Sequence, residues 1–231
     1  MISATVELSA VERGVRKMAC LYTAQYDSPL GEITLACNKE TIIGLWFNGQ
    51  KHFGATLPAE GNSTAVAPIG NRPLAQNGHP PLAPTGYPLL VPNGSPTLAQ
   101  NGNPLLEDAR RWLDLYFSGQ NPDFLPPLQY STTPFRKAVY DILLTIPYGE
   151  TMTYGQIAAK VAEQQGIEKM SAQAVGGAVG RNPIALMIPC HRVVGTGGNL
   201  TGYAGGLDRK LKLLELEKAD TSHLFMPAAH L

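Results

Sequence analysis

The sequence predicts an α+β protein: a small N-terminal domain built on an antiparallel sheet, then a C-terminal helical domain containing a helix-turn-helix. Three observations carry this. Strand-like runs between turn formers fill residues 19–53. Well-capped helical periodicities fill residues 131–219. A proline-rich extended stretch, 121–130, lies between them. With 231 residues and 24.7 kDa, the chain suits one or two small domains.

The N-terminal elements follow from turn chemistry. Strands are expected over 21–26, 32–37 and 41–47. The turn Asp27-Ser28-Pro29-Leu30-Gly31 separates the first two, and Asn38-Lys39-Glu40 the next. β-branched and aromatic residues bracketed by Gly, Pro, Asn and Asp form an antiparallel meander. Residues 54–104 differ sharply: 10 of the 19 prolines and 7 glycines fall there, with only Glu60 and Arg72 charged. Pro73-Leu74-Ala75-Gln76-Asn77-Gly78 recurs imperfectly over 96–102. Prolines this dense remove backbone donors, so the segment is expected to be a low-complexity insertion, largely without regular structure. Helical spacing resumes over 107–117, with Trp112, Leu113 and Tyr116 on one face and Ser118-Gly119 ending it. The expected organisation is an N-terminal extension (1–18), an N-terminal α+β domain (19–130) interrupted by the 54–104 insertion, a C-terminal domain (131–219) and a tail (220–231).

The C-terminal part is punctuated by caps. Thr133 precedes Pro134 at a helix start, and Phe135, Val139, Ile142, Leu143 and Ile146 follow at helical spacing. Pro147-Tyr148-Gly149 stops that helix. Thr153 with Gln156 three residues on is a capping box for a second helix, burying Ile157, Ala158 and Val161. Ser171 caps a third helix over 172–180, made almost entirely of small residues. Each glycine in a helix costs roughly 1 kcal/mol against alanine. Two readings explain acceptance of that cost: tight helix–helix packing, or a helix pressed against a sugar–phosphate backbone. The last two helices have the pattern of a helix-turn-helix. A later helix is expected to pack through Leu207, Leu211 and Leu214.

An apolar, strand-like run, Ile184-Ala185-Leu186-Met187-Ile188, leads into Pro189-Cys190-His191-Arg192-Val193-Val194. A thiol beside an imidazole at the end of such a run is either an activated nucleophile or an inert buried cysteine. On an extended chain the two side chains would point to opposite faces. His191 therefore reaches the sulfur only through a local bend or a bridging water.

The ordered set decides between these. Tyr154-Gly155-Gln156-Ile157-Ala158, Ala174-Val175-Gly176-Gly177-Ala178, Asn182-Pro183, the Pro189-Cys190-His191-Arg192-Val193 core, Thr201-Gly202-Tyr203-Ala204-Gly205-Gly206-Leu207, Lys210 and Glu217 occur in succession. This closely resembles the methylated-DNA–protein-cysteine methyltransferases, the O-6-alkylguanine-DNA alkyltransferases, densely over 133–217 and more loosely over 19–53 and 105–130. The resemblance implies a ribonuclease-H-like N-terminal domain and a winged-helix-like C-terminal domain carrying the active site. It implies Cys190 as alkyl acceptor, His191 as its base through a water, and Glu217 orienting the imidazole. Tyr154 and Lys210 complete the catalytic set. Gln173, Ala174, Gly176, Asn182, Arg192, Tyr203, Ala204 and Gly205 are implied as substrate- or DNA-binding, with 203–205 closing over the base and Asn182 tying the turn before the active-site strand. Two positions depart from the family pattern. Gln173 stands where an arginine often fills the gap left by the extruded base, and Ala204 where a hydroxyl residue occurs.

The implied reaction is stoichiometric repair: transfer of a methyl or other alkyl group from O-6-alkylguanine, and by extension O-4-alkylthymine, in double-stranded DNA to Cys190. The lesion would be flipped out of the stack at a cost of a few kcal/mol. A thioether offers water no carbonyl, so the protein acts once. No cofactor and no metal are expected; Cys20, Cys37, His52 and His79 have no compact ligand spacing. Charge agrees modestly. The whole chain carries 18 basic and 18 acidic residues, excluding a globally basic coat, while 131–218 carries 10 basic against 7 acidic. With three scattered cysteines, no secretory signal and no long apolar run, a monomeric, cytoplasmic protein without membrane association is expected. The competing readings are a cysteine hydrolase, a lesion binder that does no chemistry, and a sequence-specific transcription factor. The first needs an oxyanion hole, the second lacks a cysteine acceptor, and the third needs side chains able to read bases.

Overall fold

The computed structural model describes residues 21–57, 66–69 and 103–226. The N-terminal extension, Cys20, His79 and the greater part of the 54–104 insertion lie outside these. Strands β1 (Leu21–Ser28), β2 (Gly31–Cys37) and β3 (Ile42–Phe47) form the expected antiparallel meander. Ser28 and Gly31 face each other across the first hairpin, where Gly31 adopts φ +111°. A fourth strand, β4 (Val66–Ile69), pairs parallel with β1, giving the order β3-β2-β1-β4. It is a four-residue strand within the insertion expected to be largely without regular structure. Its Pro68 is compatible because β4 is an edge strand, where a missing donor need not break a ladder.

Helix α1 (Pro104–Phe117) starts three residues before the expected position. Asn103 accepts a hydrogen bond from the Leu105 amide at 3.0 Å and Pro104 takes the first turn, a start signal hidden at the end of the proline-rich stretch. Its inner face, Leu106, Ala109, Trp112, Leu113 and Tyr116, packs on the sheet. Tyr26 Oη donates to Asp114 at 2.9 Å and Arg110 to the Gln25 carbonyl at 2.9 Å, fixing the helix on β1.

The free edge of β3 joins the two halves of the molecule. The Ile42 amide donates to Pro127 (2.8 Å) and the Gln129 amide to Ile42 (2.9 Å). The Leu45 amide donates to Pro183 (3.0 Å) and the Ala185 amide to Leu45 (2.9 Å). An edge that would otherwise present unpaired donors is thereby filled by the connector and by the segment leading to Cys190. That segment is not the strand expected over 184–188. Only Ile184 bridges to Leu45; beyond it the chain turns, with the Met187 amide bonded to Ala185 and the Ile188 amide to Ile184. Leu186 has φ +67°. The five apolar residues report burial, which all five show, and burial does not require extension.

The C-terminal helices fall where their caps place them: α2 (Pro134–Leu143) behind Thr133, α3 (Tyr154–Gln165) behind the reciprocal Thr153–Gln156 box, α4 (Ala172–Val179) behind Ser171. Gly166, at φ +63°, ends α3. Helices α3 and α4 form the helix-turn-helix and pack on α2. Two-residue strands β5 (Met152–Thr153) and β6 (Val193–Val194) pair in parallel, tying the start of α3 to the segment that follows Cys190. Helix α5 (Leu207–Leu216) buries Lys210, Leu213 and Leu214, and the half-buried Leu207 and Leu211 also pack on the apolar clusters, so the expected face through Leu207, Leu211 and Leu214 is present with Leu213 added to it. One apolar core runs from Ile33, Leu35 and Phe47 through Leu113 and Tyr140 to Ile188 and Cys190. Among the described residues no helix is long and apolar enough to cross a membrane.

Candidate active site

Pro189 leads into a single 3₁₀ turn, Cys190–Arg192, closed by the Arg192 amide on the Pro189 carbonyl at 3.0 Å. This bend replaces the two-residue alternation of a strand with three residues per turn, but it does not bring His191 Nδ1 within hydrogen-bonding distance of Sγ. Asn182 supports it from below. Its Nδ2 donates to the Ile188 carbonyl at 2.7 Å and to Cys190 Sγ at 3.0 Å, while its Oδ1 accepts from the Ile184 amide at 3.0 Å. One buried amide therefore shapes the 182–188 turn and touches the sulfur. Burial pushes the Cys190 thiol up; Asn182, the Lys210 charge and the amides of Cys190 and His191 oppose this without reversing it. At neutral pH the group is a thiol and needs a base before it can attack.

The base beside it is set by Glu217, the C-terminal cap of α5. His191 is fully buried, and its Nε2 lies 2.7 Å from Glu217 Oε1. With a carboxylate there, Nε2 carries the proton and Nδ1 keeps its lone pair. Nδ1 is buried with no hydrogen-bond partner among the described residues. Burial lowers the His191 pKa against the pull of Glu217, so the imidazole is neutral and Nδ1 is free to take a proton. Burial alone would raise the Glu217 pKa, but hydrogen bonding from His191 and then the Arg192 guanidinium bring it down to about 2.

The surroundings of that carboxylate overturn one expectation. Arg192, expected against DNA, faces inward: its Nε donates to Glu217 Oε2 at 2.8 Å, its Nη2 to Oε1 at 3.0 Å and its Nη1 to the Ile146 carbonyl at 2.6 Å. It lies over the Tyr148 ring, 5.7 Å from the centroid. A carboxylate at a helix C-terminus opposes the helix dipole, and the bidentate guanidinium offsets that. The Gly149 amide adds a donor to Oε2 at 3.1 Å. Gly149 has φ +78°, and a Cβ there would lie 2.8 Å from the Glu217 carbonyl oxygen, so glycine is required on two counts. Tyr116, expected only as a packing residue of α1, brings its hydroxyl to 2.7 Å from Glu217 Oε1 and 3.2 Å from His191 Nε2. Nothing in its local sequence separates it from Trp112 and Leu113; it is found only by folding α1 onto the site.

Lys210 is fully buried, with Nζ donating to the carbonyls of Val193 and Thr201. It contributes charge near Cys190 rather than a contact to it, and burial brings its pKa down to about 8. Tyr154, first residue of α3, donates to the Thr201 carbonyl at 3.0 Å. A side chain at Gly202, φ +74°, would collide with the Tyr154 hydroxyl. Tyr203 is buried, edge-on to His191 at 6.5 Å between centroids, and its hydroxyl has no partner among the described residues. The loop it belongs to is pinned from the other half of the chain by the Lys51 amide on the Ala204 carbonyl at 3.2 Å. Gly205 leaves room for the Tyr203 ring, which a Cβ would approach to 2.7 Å. On α4, Gln173, Ala174 and Gly177 are exposed. Gly176 lies against Tyr154, 3.8 Å from where its Cβ would be, whereas a Cβ on Gly177 would meet nothing within 4 Å.

Residues 134–219 match the family described as 6-O-methylguanine DNA methyltransferase, DNA binding domain. The chain is 51% identical over 111 residues to a methylated-DNA–protein-cysteine methyltransferase of Mycobacterium leprae, 48% of this chain and 64% of that protein. It is 48% identical over 110 residues to one from Methanosarcina acetivorans, 48% of this chain and 67% of the relative. The match thus takes in somewhat less than two thirds of the Mycobacterium leprae relative's length. The fold resembles a crystal structure of Mycobacterium tuberculosis OGT in complex with DNA, with a TM-score of 0.60 and 33% identity over 90% of this chain and 96% of that one. It equally resembles Mycobacterium tuberculosis O6-methylguanine methyltransferase, with a TM-score of 0.59 and 33% identity over the same shares. With the thiol, imidazole and carboxylate assembled on this scaffold, the chain belongs to the methylated-DNA–protein-cysteine methyltransferase family.

Proposed function

We propose that the protein repairs alkylated DNA by moving the alkyl group of O-6-alkylguanine, and of O-4-alkylthymine, irreversibly onto Cys190. The observation that carries this is a buried thiol next to a neutral imidazole whose Nδ1 is unpartnered and whose Nε2 is held by Glu217. In the reaction the Cys190 proton passes to His191 Nδ1 through a water. The sulfur lone pair attacks the alkyl carbon, the carbon–oxygen bond breaks, and its electrons pass to the purine oxygen and ring. The Tyr154 hydroxyl, exchanging its Thr201 partner for the base, hydrogen-bonds the leaving purine. Asn182 and the Lys210 charge stabilise the developing thiolate. The unpartnered Tyr203 hydroxyl, with Ala204 and Gly205, receives a flipped nucleotide.

The DNA would lie along α4. A Cβ on Gly177 would meet nothing within 4 Å among the described residues, which favours the reading of a helix kept slim for an outside partner. Gln173 and Ala174 share that exposed side and are assigned to DNA. A relative of the same fold has been solved in complex with DNA. The protein works as a monomer in the cytoplasm, divided near residue 130 into a supporting and a reacting domain. Incubation with duplex DNA carrying labelled O-6-methylguanine is expected to leave one label per chain, on Cys190, and none on Cys190→Ser. Repeated turnover, or label on another residue, refutes the proposal.

A further inference from the structure

The Glu217–His191 pair is not completed by the C-terminal half alone. We propose that Tyr116, contributed by α1, is a positioning residue of the alkyl-transfer reaction, its hydroxyl setting how strongly Glu217 holds His191. This rests on the alkyl-acceptor reading above.

Tyr116 Oη, Glu217 Oε1 and His191 Nε2 form a closed triangle with sides of 2.7, 2.7 and 3.2 Å. The hydroxyl has one proton, and the shorter distance assigns it to the carboxylate. The phenol oxygen therefore turns a lone pair toward the Nε2–H, consistent with the tautomer that leaves Nδ1 basic. The phenol stays protonated, because burial and then the Glu217 charge push it far from ionisation. Tyr116 has no exposure, stacks on Trp112 at 5.2 Å and meets the His191 ring edge-on at 6.2 Å, so the hydroxyl has little room to leave the triangle.

Donation by Tyr116 withdraws part of the Glu217 charge from His191. Without it, the carboxylate attracts the imidazolium more strongly and His191 protonates at a higher pH. The other groups facing the pair stay in place: Arg192 and the Gly149 amide on Glu217, Lys210 and Cys190 near the imidazole, Tyr203 edge-on to it and Tyr148 beneath Arg192.

The test compares wild type, Tyr116→Phe and protein with 3-fluorotyrosine at 116. Two readouts are taken: the single-turnover rate of transfer from O-6-methylguanine duplex across pH, and the NMR titration of the His191 ring. In Tyr116→Phe the acid limb and the His191 titration both move up by about one pH unit, leaving transfer about tenfold slower below the limb. Fluorotyrosine, a stronger donor of the same shape, moves both the other way and covers the case in which Tyr116→Phe does not fold. Slowing that is equal at every pH, or a His191 titration unmoved by fluorotyrosine, overturns the proposal. Absence of transfer in wild type would instead refute the alkyl-acceptor reading, while the His191 titration still decides this one.

Discussion

Replacing Glu217 with glutamine keeps the side-chain shape and removes the charge on which His191, Arg192, Tyr116 and Gly149 converge. The magnitude follows from its acidity. A carboxyl brought from 4.5 to about 2 in the folded protein contributes about 3 kcal/mol, at 1.36 kcal/mol per pH unit. The Arg192–Glu217 contact already contributes to that shift; seen from the other side, leaving the Arg192 guanidinium buried without its counter-charge costs roughly 3–5 kcal/mol. The two agree. Because the folded pKa is depressed, this stability is fully present above the ordinary carboxyl pKa and is lost as pH falls from about 4.5 toward about 2. Urea unfolding of wild type and Glu217→Gln at a series of pH values should thus show a gap of about 3 kcal/mol at neutral pH that closes in acid. A gap below about 1 kcal/mol at neutral pH, or one that stays constant down to acid pH, would refute the view that the buried charge organises the site.

Other substitutions separate the remaining supports. Asn182→Ala removes the donor to Sγ, leaves the Ile184 amide unpaired and leaves the Ile188 carbonyl with the Cys190 amide alone; the thiol pKa should rise and stability fall by about 1–3 kcal/mol, read by ultraviolet thiolate titration and denaturant unfolding. Gly149→Ala adds a Cβ against the Glu217 carbonyl at a left-handed position and should cost more than about 1 kcal/mol, seen as a lowered Tm. Gly177→Ala meets open space and should be neutral or slightly stabilising in the free protein while weakening binding to duplex DNA; unchanged DNA affinity would remove α4 from the interface. Arg192→Lys loses the bidentate contact to Glu217 and should destabilise the fold without altering the salt dependence of DNA binding, as expected of an inward-facing arginine.

Local chemistry is strong at the ends of elements, and there the sequence is readable. Thr133, Thr153 and Ser171 place three helices because a capping side chain acts within three residues of itself. The first three strands follow from turn formers spaced along 27–49. Cys190, His191 and Glu217 are legible because their ordered motif is specific, although the distance that joins His191 to Glu217 is not.

What the linear chain determines by itself is therefore the caps, the meander and the motif that nominates Cys190 as the proposed acceptor. Tertiary structure alone decides the rest. Ile184 to Ile188 reads as a strand because apolar content signals burial, yet Asn182 and the β3 edge fold it into turns. Arg192 reads equally as a DNA-binding, an ordinary surface or a structural arginine until Glu217, at the end of α5, takes it inward. Tyr116 lies 75 residues from His191 in the chain, and its hydroxyl gains a purpose only when α1 packs against the active-site turn. Hydrogen bonds to a buried charge depend on ångström-scale convergence of distant segments, which no periodicity along a sequence encodes.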